Sequence, residues 1–377
     1  MSFFEIVNQS NWDEIRNSIY SKTATDVQLA LQKEDCSLED FKALISPAAT
    51  PFLEQMAQKS MLLTQQRFGK GMQLYVPLYL SNACANSCVY CGFSHKNKIE
   101  RITLTEEQIL QEAEAIKSMG FEHILLVTGE HPGKAGVPYL KRAIELLRPL
   151  FAQISLEVQP LKTEEYKELI DAGLHSVYVY QETYHQQNYG KYHPAGRKSD
   201  FRFRLETPDR LGEAGIHKMG LGCLLGLEEW RTDSFFIALH MNYLEKNYWQ
   251  SRLSLSFPRL RPNAGGFEPN MEVTDRDLLQ LICAYRILNQ EVEISLSTRE
   301  NQNFRDHVFK LGITAMSAGS KTEPGGYAIH TKALEQFEIS DPRTPNEIES
   351  FLKRNNYEAI WKDWDSFMQE TNEKVKE

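Results

Sequence analysis

Residues 74–80, Leu74-Tyr75-Val76-Pro77-Leu78-Tyr79-Leu80, run directly into Ser81-Asn82-Ala83-Cys84-Ala85-Asn86-Ser87-Cys88-Val89-Tyr90-Cys91. The first stretch is apolar and has the length of a buried strand. The second places three cysteines in the pattern Cys-x3-Cys-x2-Cys. A strand that ends in a loop dense with ligand-type side chains is how a parallel βα unit presents chemistry.

Downstream, the strand–helix rhythm repeats. Thr105-Glu106-Glu107-Gln108 is a capping box, and Ile109, Ala113 and Ile116 follow at helical spacing. Strands are expected at 123–127, 154–158, 176–180, 217–225, 252–257, 292–297 and 313–317. Helices are expected between them, including one over 201–214 and one begun by the capping box Thr274-Asp275-Arg276-Asp277. Gly120, Gly173, Gly215 and Gly312 end successive helices, where a left-handed residue is needed. Eight strands alternating with helices predict a (β/α)8 TIM-type barrel, with an open doubly wound sheet as the alternative built from the same units. Residues 1–70 read as a helical extension and 71–320 as the barrel. Residues 321–377 read as a second helical extension docked through Phe351, Trp361 and Trp364.

Composition sets the outer limits. The 377 residues are 41% hydrophobic and 25% charged, which suits a folded chain and excludes a collagen-like or wholly disordered one. Lys and Arg number 42 against 51 Asp and Glu, a net charge of −9. Such a chain lacks the basic footprint of general nucleic-acid binding. No run approaches the length of a membrane helix and no secretory signal is evident, so the expectation is a cytoplasmic protein with no membrane partner.

Three of the six cysteines fall within eight residues. In a reducing compartment such a group points to metal or redox chemistry. Three thiolates can hold three corners of a cubic iron–sulfur cluster, leaving one iron open. A structural zinc site with His95 as fourth ligand is the competing reading.

The spacing, with the aromatic Tyr90 before the third cysteine, resembles the radical S-adenosylmethionine (SAM) superfamily. The resemblance implies one 4Fe–4S cluster on Cys84, Cys88 and Cys91, with SAM chelating the open iron. Other strand ends resemble that family's SAM contacts. Thr128-Gly129-Glu130 is a partial match to the Gly-Gly-Glu motif that holds the methionyl amino group. Glu182 matches the acidic ribose ligand, and Arg204 the partner of the SAM carboxylate, with Arg202 and Arg210 as competitors. Gly222 to Glu229 resembles the adenine-side motif, which brings in Gly222 and Gly226.

Five further segments are similar to the 2-iminoacetate synthases, the tyrosine lyases of thiamine biosynthesis. They are residues 88–93, 180–184, 256–262, 296–300 and 316–320, with the Lys362-Asp363-Trp364 tail. The likeness implies radical Cα–Cβ cleavage of L-tyrosine to 2-iminoacetate and p-cresol. It implies thiazole synthase as the imine's consumer, and an electron donor such as flavodoxin or ferredoxin. A related lyase acting on tryptophan remains an alternative. Arg299 at the seventh strand end is expected to grip the substrate carboxylate, with Ser317 at the eighth donating a second hydrogen bond. Arg259 and Arg261 are weaker candidates. His123, His217 and Tyr178 lie near the right strands for the phenol, without a basis for choosing among them.

Overall fold

The computed structural model describes residues 2–261, 266–330 and 333–362. Its central feature is a closed parallel barrel. The strands are β1 (Gly71–Ser81), β2 (His123–Thr128), β3 (Gln153–Glu157), β4 (Ser176–Tyr178), β5 (Lys218–Gly222), β6 (Arg252–Ser256), β7 (Glu293–Leu296) and β8 (Ala315–Ser317). Each pairs with the next, and β1 pairs with both β8 and β2, so the ring closes. Closure excludes the open doubly wound sheet.

Five helices precede the barrel: α1 (Phe3–Gln9), α2 (Trp12–Tyr20), α3 (Ala24–Gln32), α4 (Leu38–Ile45) and α5 (Leu53–Phe68). Ser2, Thr23 and Ser37 begin α1, α3 and α4 with reciprocal capping boxes. The outer ring then runs α6 (Glu106–Ser118), α7 (Val137–Leu147), α8 (Thr163–Ala172), α9 (Gln186–Tyr192), α10 (Phe201–Leu205), α11 (Thr207–Ala214), α12 (Trp230–Asn247), α13 (Asp275–Leu288) and α14 (Gln302–Val308). The predicted boxes at Thr105 and Thr274 form, and Gly173 and Gly215 take left-handed C-cap conformations. The N-terminal helices pack on α12 and α13. Gln280 of α13 fastens them by donating to the carbonyls of Leu44 and Ser46, both at 2.8 Å.

Three elements depart from the sequence expectation. The helix over 201–214 is broken at Glu206, because Pro208 suits the first turn of a new helix and not the interior of an old one. The short α9 was not foreseen. After α15 (Pro345–Arg354), the chain forms a ninth strand, β9 (Glu358–Ile360), parallel to the first residues of β1. Trp361 follows it and packs edge-on against Phe121 at 5.2 Å. Trp364 lies outside the described residues. No described helix is long and apolar enough to cross a membrane.

Alternation along the strands explains the barrel interior. On β3, Ile154 and Leu156 are buried in the apolar layer under the helices, while Gln153, Ser155 and Glu157 line the central cavity. Tyr75 and Tyr79 of β1, Tyr178 of β4, and Ser254 and Ser256 of β6 also line it. A TIM barrel normally fills this space with branched apolar side chains; here polar and apolar groups together line a cavity of about 230 Å³.

Candidate active site

The cavity opens at the C-terminal ends of the strands, and Cys84, Cys88 and Cys91 line it there. The cysteine loop is held from several sides. Ala85 N–H donates to the Glu130 carbonyl at 3.0 Å and Ser87 N–H to that of Ala195 at 3.1 Å. Arg101 donates to four backbone carbonyls around the loop, those of Asn82, Phe93, Ser94 and Asn97. Gly129 fits because a Cβ there would sit 2.4 Å from the Ala83 carbonyl. All six cysteines are free thiols. Burial raises the pKa of Cys84, Cys88 and Cys91. Among the described residues no group of three His, Cys, Asp or Glu side chains converges on a position for a single metal ion.

Beside the thiols stands a charged cage. Arg204, on α10, donates through Nη1 to Glu130 at 2.8 Å and through Nε to the Tyr180 carbonyl at 2.7 Å. Lys198 donates to Glu182 at 2.7 Å. Asn86, from the cysteine loop, donates to the other Glu130 oxygen at 2.7 Å and accepts from the Lys198 N–H at 3.0 Å. Burial works against the charge on Glu130, but Arg204, Lys198 and the hydrogen bonds outweigh it and hold the carboxyl below its usual range. Burial likewise opposes the charge on Arg204, and Glu130 more than compensates. Glu182 has φ +70, a conformation costly for a non-glycine residue and concentrated at functional sites. Tyr90 packs here with its hydroxyl 2.8 Å from His193 Nε2.

The opposite wall comes from β7, β8 and the C-terminal segment. Arg299 follows β7 and stacks its guanidinium over Phe337, 3.4 Å from the ring centroid. The guanidinium makes no hydrogen bond or ion pair with the described residues, and burial lowers its pKa. The Arg299–Glu300 pair that the sequence permits does not form. Glu300 instead accepts from Arg259 and Arg261, and Arg259 also pairs with Asp275 at 2.7 Å. Ser317 lines the cavity, and its Oγ accepts the Thr298 N–H at 2.9 Å. Behind it, Arg305 is fully buried, pairs with Asp341 and donates to the Ser317 carbonyl.

The structure therefore brings together ten of the twelve residues singled out from the sequence: Cys84, Cys88, Tyr90, Cys91, Gly129, Glu130, Glu182, Arg204, Arg299 and Ser317 all line one cavity. Gly222 and Gly226 do not. A Cβ on Gly222 would meet the Ser256 carbonyl at 2.3 Å, and Gly226 has φ +113, so both are required by close strand packing and a turn. Leu224, between them, is the residue that reaches the cavity. Tyr178 lines it too, whereas His123 bonds Gln73 at 2.9 Å and His217 packs on His175. Sequence reasoning missed Asn86, Lys198, Glu157, Gln336 and Phe337. Only Glu157 carried a usable local signal, its place on the inward face of an alternating strand.

Comparison with known proteins agrees with this geometry. Residues 78–234 match the Radical SAM superfamily and 256–358 the Biotin and Thiamin Synthesis associated domain. The chain is 51% identical over 375 residues to the 2-iminoacetate synthase of Escherichia coli, covering 99% of this chain and 100% of that one. The FeFe-hydrogenase maturase HydG from Carboxydothermus hydrogenoformans superposes with a TM-score of 0.83 at 30% identity, over 96% of this chain and 83% of that one. By fold, cavity and full-length similarity, the chain belongs to the 2-iminoacetate synthase family of radical SAM enzymes.

Proposed function

We propose that the chain is a radical SAM lyase that cleaves the Cα–Cβ bond of L-tyrosine, yielding 2-iminoacetate for thiamine thiazole synthesis and p-cresol. Cys84, Cys88 and Cys91 would hold a 4Fe–4S cluster. The donor set suits it: three buried thiols on one short loop need a positive partner to ionise, and they leave one iron corner open for a ligand. Once held there, a reduced cluster would supply an electron and SAM the 5′-deoxyadenosyl group, with methionine leaving, for radical chemistry at the substrate amine.

The chain's own side chains bind and orient. Glu130 and Arg204 offer one acceptor and one donor for the ammonium and carboxylate of the methionyl group, and Glu182 offers an acceptor for ribose hydroxyls. Tyr90, Gly129 and Leu224 shape the rest of that side. Arg299 takes the tyrosine carboxylate, and Ser317, whose Oγ accepts from the Thr298 N–H and whose hydroxyl bonds that of Tyr75, would turn its O–H from Tyr75 to the carboxylate. Thiazole synthase as consumer of the imine, and a flavodoxin or ferredoxin as electron donor, complete the reading. The match to the Biotin and Thiamin Synthesis associated domain supports the thiamine context.

The observation that carries the proposal is a single cavity walled both by three thiols and by a guanidinium that makes no hydrogen bond or ion pair with a described residue. The test is anaerobic reconstitution with iron and sulfide, then SAM, L-tyrosine and a strong reductant, with products read by mass spectrometry. Deoxyadenosine with p-cresol and glyoxylate, the imine's hydrolysis product, is expected. Deoxyadenosine without p-cresol moves the substrate to another amino acid, tryptophan first. A cluster without deoxyadenosine overturns the lyase reading.

A further inference from the structure

Glu157 ends β3 on the inward face of the barrel and lines the cavity. It forms no hydrogen bond or ion pair with the described residues. An unpartnered carboxylate in a barrel interior is costly unless a ligand or a proton engages it. The charges that face it come from both walls. Arg299, after β7, acts on it most strongly, followed by Glu182 beyond β4, then Lys198 and Arg204 of the cage. Tyr79 of β1 and Tyr180 beyond β4 face it as neutral phenols. Glu157 therefore shares the cavity with both the guanidinium assigned to the substrate carboxylate and the cage assigned to SAM, and both act on its charge. The α-amino group of a substrate anchored on Arg299 lies one carbon from the carboxylate and must face the cofactor, which brings it into the part of the cavity that Glu157 lines.

From this placement we propose that Glu157 is the base that takes a proton from the substrate α-ammonium, leaving the neutral amine that hydrogen-atom abstraction requires. The step moves one proton from nitrogen to a carboxylate oxygen, and the nitrogen keeps the electron pair. No electron changes hands. The proton passes to bulk water when products leave. Burial supports the assignment by pushing the Glu157 carboxyl up to about 7, above its usual range despite the opposing pull of Arg299. A carboxyl poised near the operating pH can both take up and give back a proton. The inference rests on the tyrosine lyase reading.

The test is reconstituted holoenzyme carrying Glu157→Gln, with deoxyadenosine and p-cresol formation followed from pH 6 to pH 10. The isosteric amide preserves shape and removes the base. At neutral pH, kcat/KM for tyrosine should fall at least about 100-fold, within the usual range for loss of a general base. As pH rises through the amine's own ionisation, the variant should recover toward wild type. A variant with the wild-type pH profile overturns the inference. A loss that high pH does not relieve, or one relieved instead by ring-fluorinated tyrosines of lower phenol pKa, also overturns it, the latter by moving Glu157 to the phenol. Wild-type enzyme that makes no p-cresol defeats the lyase reading itself.

Discussion

The two walls of the cavity handle charge in opposite ways. On the β1–β4 side, Glu130, Arg204, Glu182 and Lys198 neutralise one another, and Asn86 ties them to the cysteine loop. On the β7–β8 side, Arg299 makes no direct ion pair with a described residue, its plane supported by Phe337. The contrast matches the two molecules to be bound. A methionyl group brings both an ammonium and a carboxylate, so a site that already pairs acceptor with donor can exchange partners at little electrostatic cost. A lone buried guanidinium costs several kcal/mol to desolvate, and an incoming carboxylate offsets that cost. In the proposed function, the paired wall takes the cofactor and the unpaired wall the substrate.

The strongest way to break the comparison is to remove what both walls serve. Cys88→Ala should abolish the 4Fe–4S absorbance and reduce deoxyadenosine to background. A normal cluster spectrum would remove the cysteine assignment. Next, the two arginines should separate. Arg299→Ala should lower kcat/KM for tyrosine by about 100-fold or more, the range for removing one partner of a buried charge pair, and leave SAM affinity within about threefold. Arg204→Ala should do the reverse, strand Glu130 unpaired and weaken SAM binding first. Equilibrium dialysis with SAM, set beside tyrosine kinetics, reads both; equal losses in both ligands would erase the distinction between the walls.

Acid should sharpen the comparison more gently. Burial holds His193, behind Tyr90 on the paired wall, at about 2. It holds His175 at about 2 and His240 at about 3. Each binds a proton in the unfolded chain near 6.5 but not in the folded one. The unfolded state therefore gains protons as pH falls, and stability drops below about pH 6.5 by roughly 1.4 kcal/mol per pH unit per histidine. No histidine lines the cavity on the Arg299 side among the described residues. Urea unfolding from pH 7 to pH 5 measures the slope, and His193→Gln should lower it by about 1.4 kcal/mol per pH unit. An unchanged slope would mean that this histidine titrates in the fold.

The paired wall was the more legible in the sequence. The cysteine spacing, Gly129-Glu130 and Arg204 sit in local patterns, and the strand rhythm is set by period and caps. Lys198 was not legible: in Gly196-Arg197-Lys198-Ser199 it looks like one more solvated charge, and only the turn after α9 swings it onto Glu182. Gln336 and Phe337 come from a polar stretch far from any strand end. They are held in place by long-range bonds, Tyr79 Oη to Gln336 at 2.7 Å and the Gln336 N–H to the Thr322 carbonyl at 3.0 Å. Glu112 read as an ordinary residue of an amphipathic helix; folded, it is buried and accepts three backbone N–H groups from residues 327–329. β9 escaped notice because three residues carry no period, and its existence depends on the unpaired start of β1.

The roof formed by Gln336 and Phe337 has a consequence for how the protein is made. The thiols belong to the first βα loop, and their cover arrives some 246 residues later in the chain. At ribosomal speeds of about 5–20 residues per second, that gap lasts roughly 12 to 50 s. Through that interval neither the stacking partner of Arg299 nor the β9 strand has been translated, so the cysteine loop waits through most of synthesis for the residues that close over it.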